Sequence, residues 1–282
     1  MSLLDVENLW VKFPTRQGVF DAVRGVSFSL GQERLGIVGE SGSGKSMTGR
    51  AILRLIRNPG IVEADHINLE GKNLLEMSER AMRDVRGKQI SMVMQDPKFS
   101  LNPVTTVGAQ IIEAYRQHNR VSKSEAYKKA LEMLEAVSIR DPKRVMRAYP
   151  HEVSGGMGQR IMIAMMLIPD PKILIADEPT SALDVSVQRQ VLNIMDGLVK
   201  ERGMGLIFIS HDLNLVSEFC DRVLIMYSGR IVEVCDADKL HEAKHPYTRG
   251  LLDSLPRLDQ EETHLSVLNR DPAWSDAESV RG

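Results

Sequence analysis

The sequence predicts an α/β fold, and three observations support this prediction. Short apolar strands alternate with helical stretches along most of the chain. The continuous apolar run at Lys172–Asp177 is typical of a parallel strand that is buried on both faces. A glycine-rich turn lies between a strand at Arg34–Gly39 and a helix that begins near Lys45. We therefore predict an α/β core, joined by an antiparallel β subdomain and an inserted helical subdomain.

An antiparallel ribbon is predicted at the start of the chain. Leu3–Val11 and Val19–Leu30 are strand-like and are separated by a turn signal at Pro14–Gly18. The strand at Arg34–Gly39 then leads into the glycine-rich turn, and Gln89–Gln95 is a further strand. We expect the ribbon to form the β subdomain.

The interval from about Asp96 to Pro169 is predicted to be the helical insert. It contains helices at Thr105–His118 and Ser122–Val137, with no strand between them. The elements predicted after the Lys172–Asp177 strand are a helix at Val185–Lys200, a strand at Gly205–Ser210, a helix at Leu213–Phe219 and a hairpin of Arg222–Tyr227 and Arg230–Val234. We divide the chain into a core (1–95 and 170–240), a helical subdomain (96–169) and a C-terminal extension (241–282). The polar stretch after Pro256 is expected to be loosely ordered.

Composition excludes several classes of function. The chain has 282 residues, of which 43% are hydrophobic and 26% charged, as in an ordinary globular protein. With 36 basic and 38 acidic residues the net charge is −2, so no basic surface for nucleic acid is predicted. The sequence contains no polybasic segment that would indicate binding to anionic lipid.

Cysteine usage indicates a reducing compartment, and the length of the apolar runs bears on whether the chain spans a membrane. Cys220 and Cys235 do not form a CxxC pair, so a disulfide framework or a zinc site is not predicted. The first ten residues lack the layout of a signal peptide, and no apolar run reaches the roughly 18 residues that span a bilayer. We expect a cytoplasmic protein, with any membrane role supplied by a partner.

A phosphate-binding loop is predicted where the sequence GESGSGKS matches G-x-x-x-x-G-K-S between a strand and a helix. Its glycines allow a tight turn that points backbone N–H groups at an anion, and the positive end of the helix adds to this nest. Lys45 can reach the β- and γ-phosphates of a nucleotide, and Ser46 can bind Mg²⁺. A plain Gly/Ser linker is disfavoured, because a linker has no need of Lys-Ser at a helix start. The predicted phosphate-binding residues are Gly39, Glu40, Ser41, Gly42, Ser43, Gly44, Lys45 and Ser46.

Two adjacent acids end the strand at Lys172–Asp177. Asp177 and Glu178 point to opposite faces because side chains alternate along a strand, so they can have different functions. Asp177 can bind the magnesium ion, and Glu178 can orient and deprotonate an attacking water. The alternative is a solvated strand end with two surface acids, which the nearby phosphate loop and the sequence PTSALD disfavour.

Together these motifs resemble the ATP-binding cassette (ABC) ATPase family over about residues 3–240. The resemblance rests on the phosphate loop, the sequence ADE-PTSALD, Gln95 and His211 after strands, and the Ser-Gly-Gly loop at Ser154. It implies an ABC-type P-loop NTPase fold, with ATP and Mg²⁺ as ligands. In that family two cassettes stack head to tail, and each Ser-Gly-Gly loop contacts the γ-phosphate bound by the other.

The resemblance also implies roles for single residues. Ser154, Gly155 and Gly156 would bind the partner's nucleotide through backbone N–H groups, although the two glycines could be only a helix-start turn. Gln95 matches the glutamine that contacts Mg²⁺ and water and senses the transmembrane partner. Asp184 matches the aspartate at the dimer seam.

Two further assignments come with alternatives. His211 matches the histidine that contacts the γ-phosphate, and its alternative is a structural histidine at a strand end. An aromatic residue of the ribbon should stack on adenine. Phe13 is preferred by position and Phe20 is second, and either could instead be part of the core.

The Ser-Gly-Gly loop departs from the family pattern. Val153 stands where leucine is usual, Met157 where glutamine is common, and Gly158 where a basic residue is usual. Glycine at that helical position costs about 1 kcal/mol relative to alanine. Because Lys45 and Glu178 are intact, we do not interpret the departures as inactivating.

Two stretches resemble one branch of the family, the importers of dipeptides, oligopeptides and nickel. They are Gln95–Ile111 and the sequence HPYTRGLLDSLP at His245–Pro256. Relatives often carry a cysteine cluster after that motif, but here no cysteine follows Cys235, so we predict no iron–sulfur cluster. A helix rich in methionine is predicted to pack in the core rather than to bind metal. Its methionines are Met157, Met162, Met165 and Met166.

The resemblance therefore implies the ATPase subunit of an importer, on the cytoplasmic face of the bacterial inner membrane. Its partners would be a second cassette, identical or paralogous, two permeases that contact the surface near Lys98–Thr106, and a periplasmic solute-binding protein. Two alternatives are an ABC-type ATPase of DNA repair or chromosome organisation, and a cassette that binds ATP without hydrolysing it. The first alternative is disfavoured because the sequence lacks the coiled coil, zinc module and basic surface that are expected of such ATPases.

Overall fold

The computed structural model describes residues 2–95, 100–181, 183–254, 271, 274 and 278–282. They fall into two compact units, Met1–Glu76 with Ile207–Gly282 and Met77–Leu206. No helix in these ranges is long and apolar enough to cross a membrane. The division into core, helical subdomain and extension stays a prediction.

The first part of the first unit contains, among its described residues, six strands and one helix. Its elements are β1 (Leu4–Thr15), β2 (Gly18–Leu30), β3 (Arg34–Val38), α1 (Lys45–Ile52), β4 (Ile61–Glu63), β5 (His66–Leu69) and β6 (Lys72–Asn73). Five of these strands form one sheet in the order β2-β1-β5-β6, with β4 also paired to β1, whereas β3 belongs to a second sheet. β1 and β2 are antiparallel from Leu4 opposite Leu30 to Thr15 opposite Gly18, which confirms the predicted ribbon.

The ribbon is longer than predicted, because Pro14 lies within β1 and pairs with Val19 instead of starting the turn. On its other side β1 pairs with β4 only over Trp10–Lys12. Pro14 therefore sits where β2 is the only neighbour among the described strands, and a missing N–H is tolerated at such an edge. Nothing in the sequence predicts β4, β5 or β6, because strands of two to four residues are too short to show a period.

The second unit contains most of the helices. Its elements are α2 (Glu79–Val85), β7 (Ile90–Val93), α3 (Val107–His118), α4 (Lys123–Ala136), α5 (Pro142–Val145), α6 (Gly155–Leu167), β8 (Ile173–Asp177) and α7 (Val185–Arg202). β7 and β8 are parallel, with Ile90 opposite Ile173. The two helices predicted between residues 105 and 137 are confirmed to within two residues at each end. Ser122 caps α4 by accepting a hydrogen bond from the Glu125 N–H.

The last part of the chain returns to the first unit. Its elements are β9 (Gly205–Ser210), α8 (Leu213–Phe219), β10 (Arg222–Tyr227), β11 (Arg230–Asp236) and α9 (Pro246–Asp253). β10 is parallel to β3 and antiparallel to β11, and the order in this unit is β11-β10-β3-β9. The mixture of parallel and antiparallel sheets with helices confirms the predicted α/β class.

The end of the chain differs from the expected loose tail. The Val280 N–H donates to the Ile231 carbonyl at 2.8 Å, and Gly282 exchanges backbone hydrogen bonds with Ser27 and Ser29. These residues use donors and acceptors at the open edges of β11 and β2, which composition cannot reveal. Most of the predicted tail, residues 256–270, 272–273 and 275–277, lies outside the described part of the chain.

Candidate functional site

The phosphate loop lies between β3 and α1, as the sequence predicts. Gly42 and Gly44 have φ of 84° and 100°, a left-handed conformation that favours glycine. The Lys45 ammonium is only 5% exposed and donates hydrogen bonds to the carbonyls of Gly39 at 2.7 Å and Glu40 at 2.8 Å. The loop therefore folds around its lysine, which places a positive charge at the start of a helix.

Two glycines of this loop are required for close packing. A Cβ atom on Gly39 would lie 2.1 Å from the Met226 carbonyl oxygen, and one on Gly44 would lie 2.5 Å from the Ala22 carbonyl oxygen. Backbone atoms cannot move aside, so no other residue fits at either position. The Gly229 N–H also donates to the Ser43 carbonyl at 3.1 Å. The loop is thus held against β2 and the β10–β11 turn.

His211 and the two phenylalanines also belong to the first unit. His211 follows β9 directly and is exposed, and Asp212 caps α8 through the Leu215 N–H at 3.1 Å. Phe13 and Phe20 are paired residues near the end of the ribbon. Phe20 is 58% exposed, whereas Phe13 is half-buried. The greater exposure of Phe20 makes it a better candidate for stacking on adenine than its position in the ribbon indicates. The choice between the two residues stays a prediction.

The two acids lie at the end of β8 in the second unit. Asp177 is buried, with 3% of its surface exposed. Glu178 has φ of 46°, an uncommon conformation for a residue with a side chain and one that often marks a functional position. The Gln95 Nε2 donates to the Glu178 carboxylate at 3.0 Å. The structure therefore brings together two of the predicted hydrolytic residues.

The chain turns sharply after Glu178 and enters α7. The Glu178 carbonyl accepts hydrogen bonds from the Ser181 N–H and hydroxyl. Asp184 caps α7 by accepting from the N–H groups of Ser186 at 3.1 Å and Val187 at 3.0 Å. A hydrogen bond from the Ser186 hydroxyl is the main cause that lowers the pKa of the Asp184 carboxyl. Asp184 thus has a structural role as a helix cap, which its assignment to a dimer seam did not anticipate.

The Ser-Gly-Gly loop opens α6 as predicted. The Ser154 hydroxyl accepts a hydrogen bond from the Met157 N–H at 3.4 Å, and Ser154 and Gly155 are exposed. The two glycines differ in their surroundings. A Cβ on Gly155 would meet no atom within 4 Å, whereas one on Gly156 would lie 2.7 Å from Cγ1 of Val187. Local packing explains why residue 156 is a glycine, but it does not explain Gly155.

This difference gives a matched pair of substitutions. We expect Gly156→Ala to lower the thermal midpoint of unfolding by several degrees, because Val187 is branched and stiff and its displacement costs about 1–3 kcal/mol. Gly155→Ala should leave the midpoint unchanged or raise it slightly, since alanine favours the helix. Both should lower ATPase activity if the loop contacts a partner's phosphate. Full activity of a stable Gly155→Ala protein would contradict that role.

One contact at the phosphate loop is not predicted by the sequence. The Glu40 N–H donates to the hydroxyl of Tyr247, which lies in α9 and is fully buried. Tyr247 belongs to the HPYTRG motif, which the sequence connects only with ancestry. In the sequence, the only hint of this contact is that the motif places an aromatic residue directly after a proline that opens a helix.

Comparison with known proteins decides the family. The profile of the family described as "ABC transporter" matches residues 23–181, which is more than half of the chain. The chain belongs to the ABC transporter family. A second profile, described as "Oligopeptide/dipeptide transporter, C-terminal region", matches residues 232–279 of this cassette. The resemblance seen in the motifs is therefore confirmed.

Curated relatives agree with both profiles. The cassette is 50% identical over 260 residues to the oligopeptide transport ATP-binding protein OppD of Bacillus subtilis, covering 91% of this chain and 73% of the relative. It is 44% identical over 270 residues to the dipeptide transport ATP-binding protein DppD of Escherichia coli, covering 95% and 83%.

Solved structures confirm the fold. A dimeric bacterial ABC transporter cassette matches with a TM-score of 0.74 and 25% identity over 83% of this chain and 98% of that one. A dimeric post-hydrolysis state bound to ADP and phosphate matches equally well. ABC cassettes are ATPases that bind ATP with Mg²⁺ and dimerise. Each of the predicted magnesium ligands Ser46 and Asp177 carries a hard oxygen donor, the type that Mg²⁺ prefers.

Proposed function

We propose that this cassette is the ATP-hydrolysing subunit of an importer for peptides or a related small solute, of the dipeptide, oligopeptide, nickel or opine class. The observation that carries the proposal is the combination of an ABC transporter match with an oligopeptide/dipeptide transporter C-terminal match in one chain. Relatives named for oligopeptide and dipeptide transport support the peptide class.

In this proposal the first unit binds the phosphates of ATP. Gly39–Ser46 surround the β- and γ-phosphates with backbone N–H groups, and Lys45 neutralises their charge. Ser46, Gln95 and Asp177 would hold Mg²⁺, which would offset the charge that develops on the γ-phosphate. Phe13 or Phe20 stacks on adenine. The tight hold on Lys45 by two carbonyls supports its preorganisation for this role.

The residues assigned to hydrolysis are Glu178, Gln95 and His211. The Glu178 carboxylate orients the attacking water and accepts its proton, which requires a fixed side chain. The left-handed backbone at Glu178 and its hydrogen bond from Gln95 support that requirement. His211 donates to the γ-phosphate as charge develops there. Its exposed position after β9 supports access to a ligand.

A second cassette completes the site in this proposal. Ser154, Gly155 and Gly156 contact the nucleotide of the partner, and Asp184 lies at the seam. The exposure of Ser154 and Gly155, and the empty space around Gly155, support contact with something outside the chain. The partner is identical to this chain or a paralogue, and the dimeric cassette structure that this chain resembles supports the pairing of two cassettes.

Cassettes of this family work with permease subunits in peptide importers. We propose that the permeases of this importer lie in the bacterial inner membrane, that the cassette binds their cytoplasmic face and that the permeases receive solute from a periplasmic binding protein. The contact surface is Lys98–Thr106, of which Lys98 and Phe99 lie outside the described residues. Within the described part, Val104 is 81% exposed, which supports an apolar docking point. We further propose that residues 96–169 form the helical subdomain.

Solute uptake by intact cells tests the proposal. Deletion of the gene should abolish uptake of labelled peptides, and the wild-type gene should restore it. The Glu178→Gln gene should fail to restore uptake although its protein is produced. Radioactive nickel, tested in the same strains, separates the two solute classes. Unchanged peptide and nickel uptake in the deletion strain would contradict the proposal.

A further inference from the structure

We propose that Tyr247 is a positioning residue for the phosphate loop, through which the C-terminal region sets the affinity for nucleotide. The inference rests on the proposed binding of ATP at Gly39–Ser46. It gives the HPYTRG motif a role in the nucleotide site, although the motif lies more than 200 residues away in sequence.

The first step is a hydrogen bond between a fully buried tyrosine and the half-buried Glu40. Tyr247 has 0% of its surface exposed, and its hydroxyl accepts the N–H of Glu40 at 3.0 Å. A backbone N–H that faces a buried side chain and loses its hydrogen-bond partner retains part of the cost of desolvation. Removal of the hydroxyl therefore favours a different conformation of the loop at Glu40.

The second step is the central place of Glu40 in the loop. Its carbonyl accepts hydrogen bonds from the Lys45 ammonium at 2.8 Å and from the Ser43 N–H at 3.2 Å. Glu40 is therefore hydrogen-bonded to Tyr247 through its N–H and to the phosphate-binding lysine through its carbonyl. A rotation of the backbone at Glu40 would displace the Lys45 ammonium and the turn at Ser43 together.

The third step is the rigid support of Tyr247 itself. Its ring contacts that of Tyr227 with centroids 4.5 Å apart, and its N–H donates to Nδ1 of His245 at 3.2 Å. The N–H groups of Lys244 and His245 both donate to the Glu233 carboxylate in β11, at 2.6 Å and 3.2 Å. Tyr247 is therefore fixed at both its backbone and its ring, as positioning requires.

Thermodynamic reciprocity gives a further consequence. If Tyr247 favours the conformation of the loop that binds nucleotide, then bound nucleotide must stabilise the C-terminal region by the same free energy. ADP should therefore slow amide hydrogen exchange in α9 of the wild-type protein, although no residue of α9 is assigned to the nucleotide.

The test compares Tyr247→Phe with Tyr227→Phe. Each removes one hydroxyl from the same ring pair, and the Tyr247 hydroxyl is the one that accepts the hydrogen bond from the Glu40 N–H of the phosphate loop. We expect Tyr247→Phe to raise the Kd for ADP with Mg²⁺, measured by calorimetry, about fivefold, the equivalent of one hydrogen bond. Its KM for ATP should rise similarly with kcat nearly retained. Tyr227→Phe should stay within about twofold of wild type.

The outcomes separate the possible failures. A wild-type Kd for ADP in folded Tyr247→Phe would overturn the inference, as would an equal effect of both substitutions, which would indicate ring packing. Hydrogen exchange in wild type keeps the test valid if Tyr247→Phe does not fold. In that case, unchanged exchange in α9 on addition of ADP would overturn it. A wild-type protein that binds no ADP would overturn the proposed function as well.

Discussion

Glu178→Gln is expected to lower the rate of ATP hydrolysis by at least about 100-fold while leaving the Kd for ATP within about threefold of wild type. Glutamine has the size of glutamate and can still accept the hydrogen bond from Gln95 Nε2, so the loop should keep its shape. It cannot accept a proton from water, and general-base catalysis is lost. Single-turnover hydrolysis and nucleotide binding should be measured on the same preparation, with the partner cassette present.

Glu201→Gln is the matched control, because Glu201 is an exposed residue near the end of α7 that we assign to no ligand. It removes the same charge and should leave the rate unchanged. Equal rates for wild type and Glu178→Gln would remove Glu178 from the mechanism. If wild type with its partner were as inactive as Glu178→Gln, the alternative of a cassette that binds without hydrolysing would be correct.

Lys45→Met is expected to raise the Kd for ATP by more than about tenfold, because a hydrogen bond to a charged group contributes about 1.5–3 kcal/mol. The substitution also leaves the carbonyls of Gly39 and Glu40 without their ammonium donor, so the thermal midpoint should fall as well. Calorimetry and thermal unfolding on the same samples measure the two effects.

Lys143→Met serves as the control for Lys45→Met. Lys143 is exposed in the short helix α5, about 100 residues along the chain from the phosphate loop, and we assign it to no ligand. It should change neither the Kd nor the midpoint appreciably. Wild-type affinity in a folded Lys45→Met protein would show that the loop does not bind phosphate through its lysine.

The parts of the fold that a local pattern determines could be predicted from the sequence. β9, α8 and β10 were predicted with the residues that the structure gives them, because each is bounded by clear turn or cap residues. The phosphate loop was predicted because its spacing is specific to a strand–turn–helix context. Membership of the family was predicted because the separate motifs occur together in one chain.

Other features depend on partners far apart in the sequence. The contact of Tyr247 with Glu40 joins residues 207 positions apart, and no periodicity reports such a pairing. The backbone pairing of Val280 and Gly282 with sheet edges was missed for the same reason, since it uses no particular side chain. The cap formed by Asp184 is not predicted, because the resemblance to the family assigns that residue to the dimer seam.

The alternative of a DNA-repair or chromosome-organising ATPase receives no support. The family profile and the relatives described above are those of transporters, and a C-terminal transporter profile covers residues 232–279. The departures at Val153, Met157 and Gly158 do not prevent α6 from forming. α6 begins immediately after Ser154, and Gly158 is buried within it.

The central claim is that this chain supplies only part of a nucleotide site and that a second cassette supplies the Ser-Gly-Gly loop. Light scattering of Glu178→Gln with ATP and Mg²⁺ tests it, with the chain alone and co-expressed with the second cassette of its transporter. We predict a complex of two cassettes, where one chain is 31.5 kDa, and its loss when Ser154→Arg is added. A single-chain mass under both conditions, with a monomeric wild-type protein that hydrolyses ATP at full rate and tolerates Ser154→Arg, would contradict the claim.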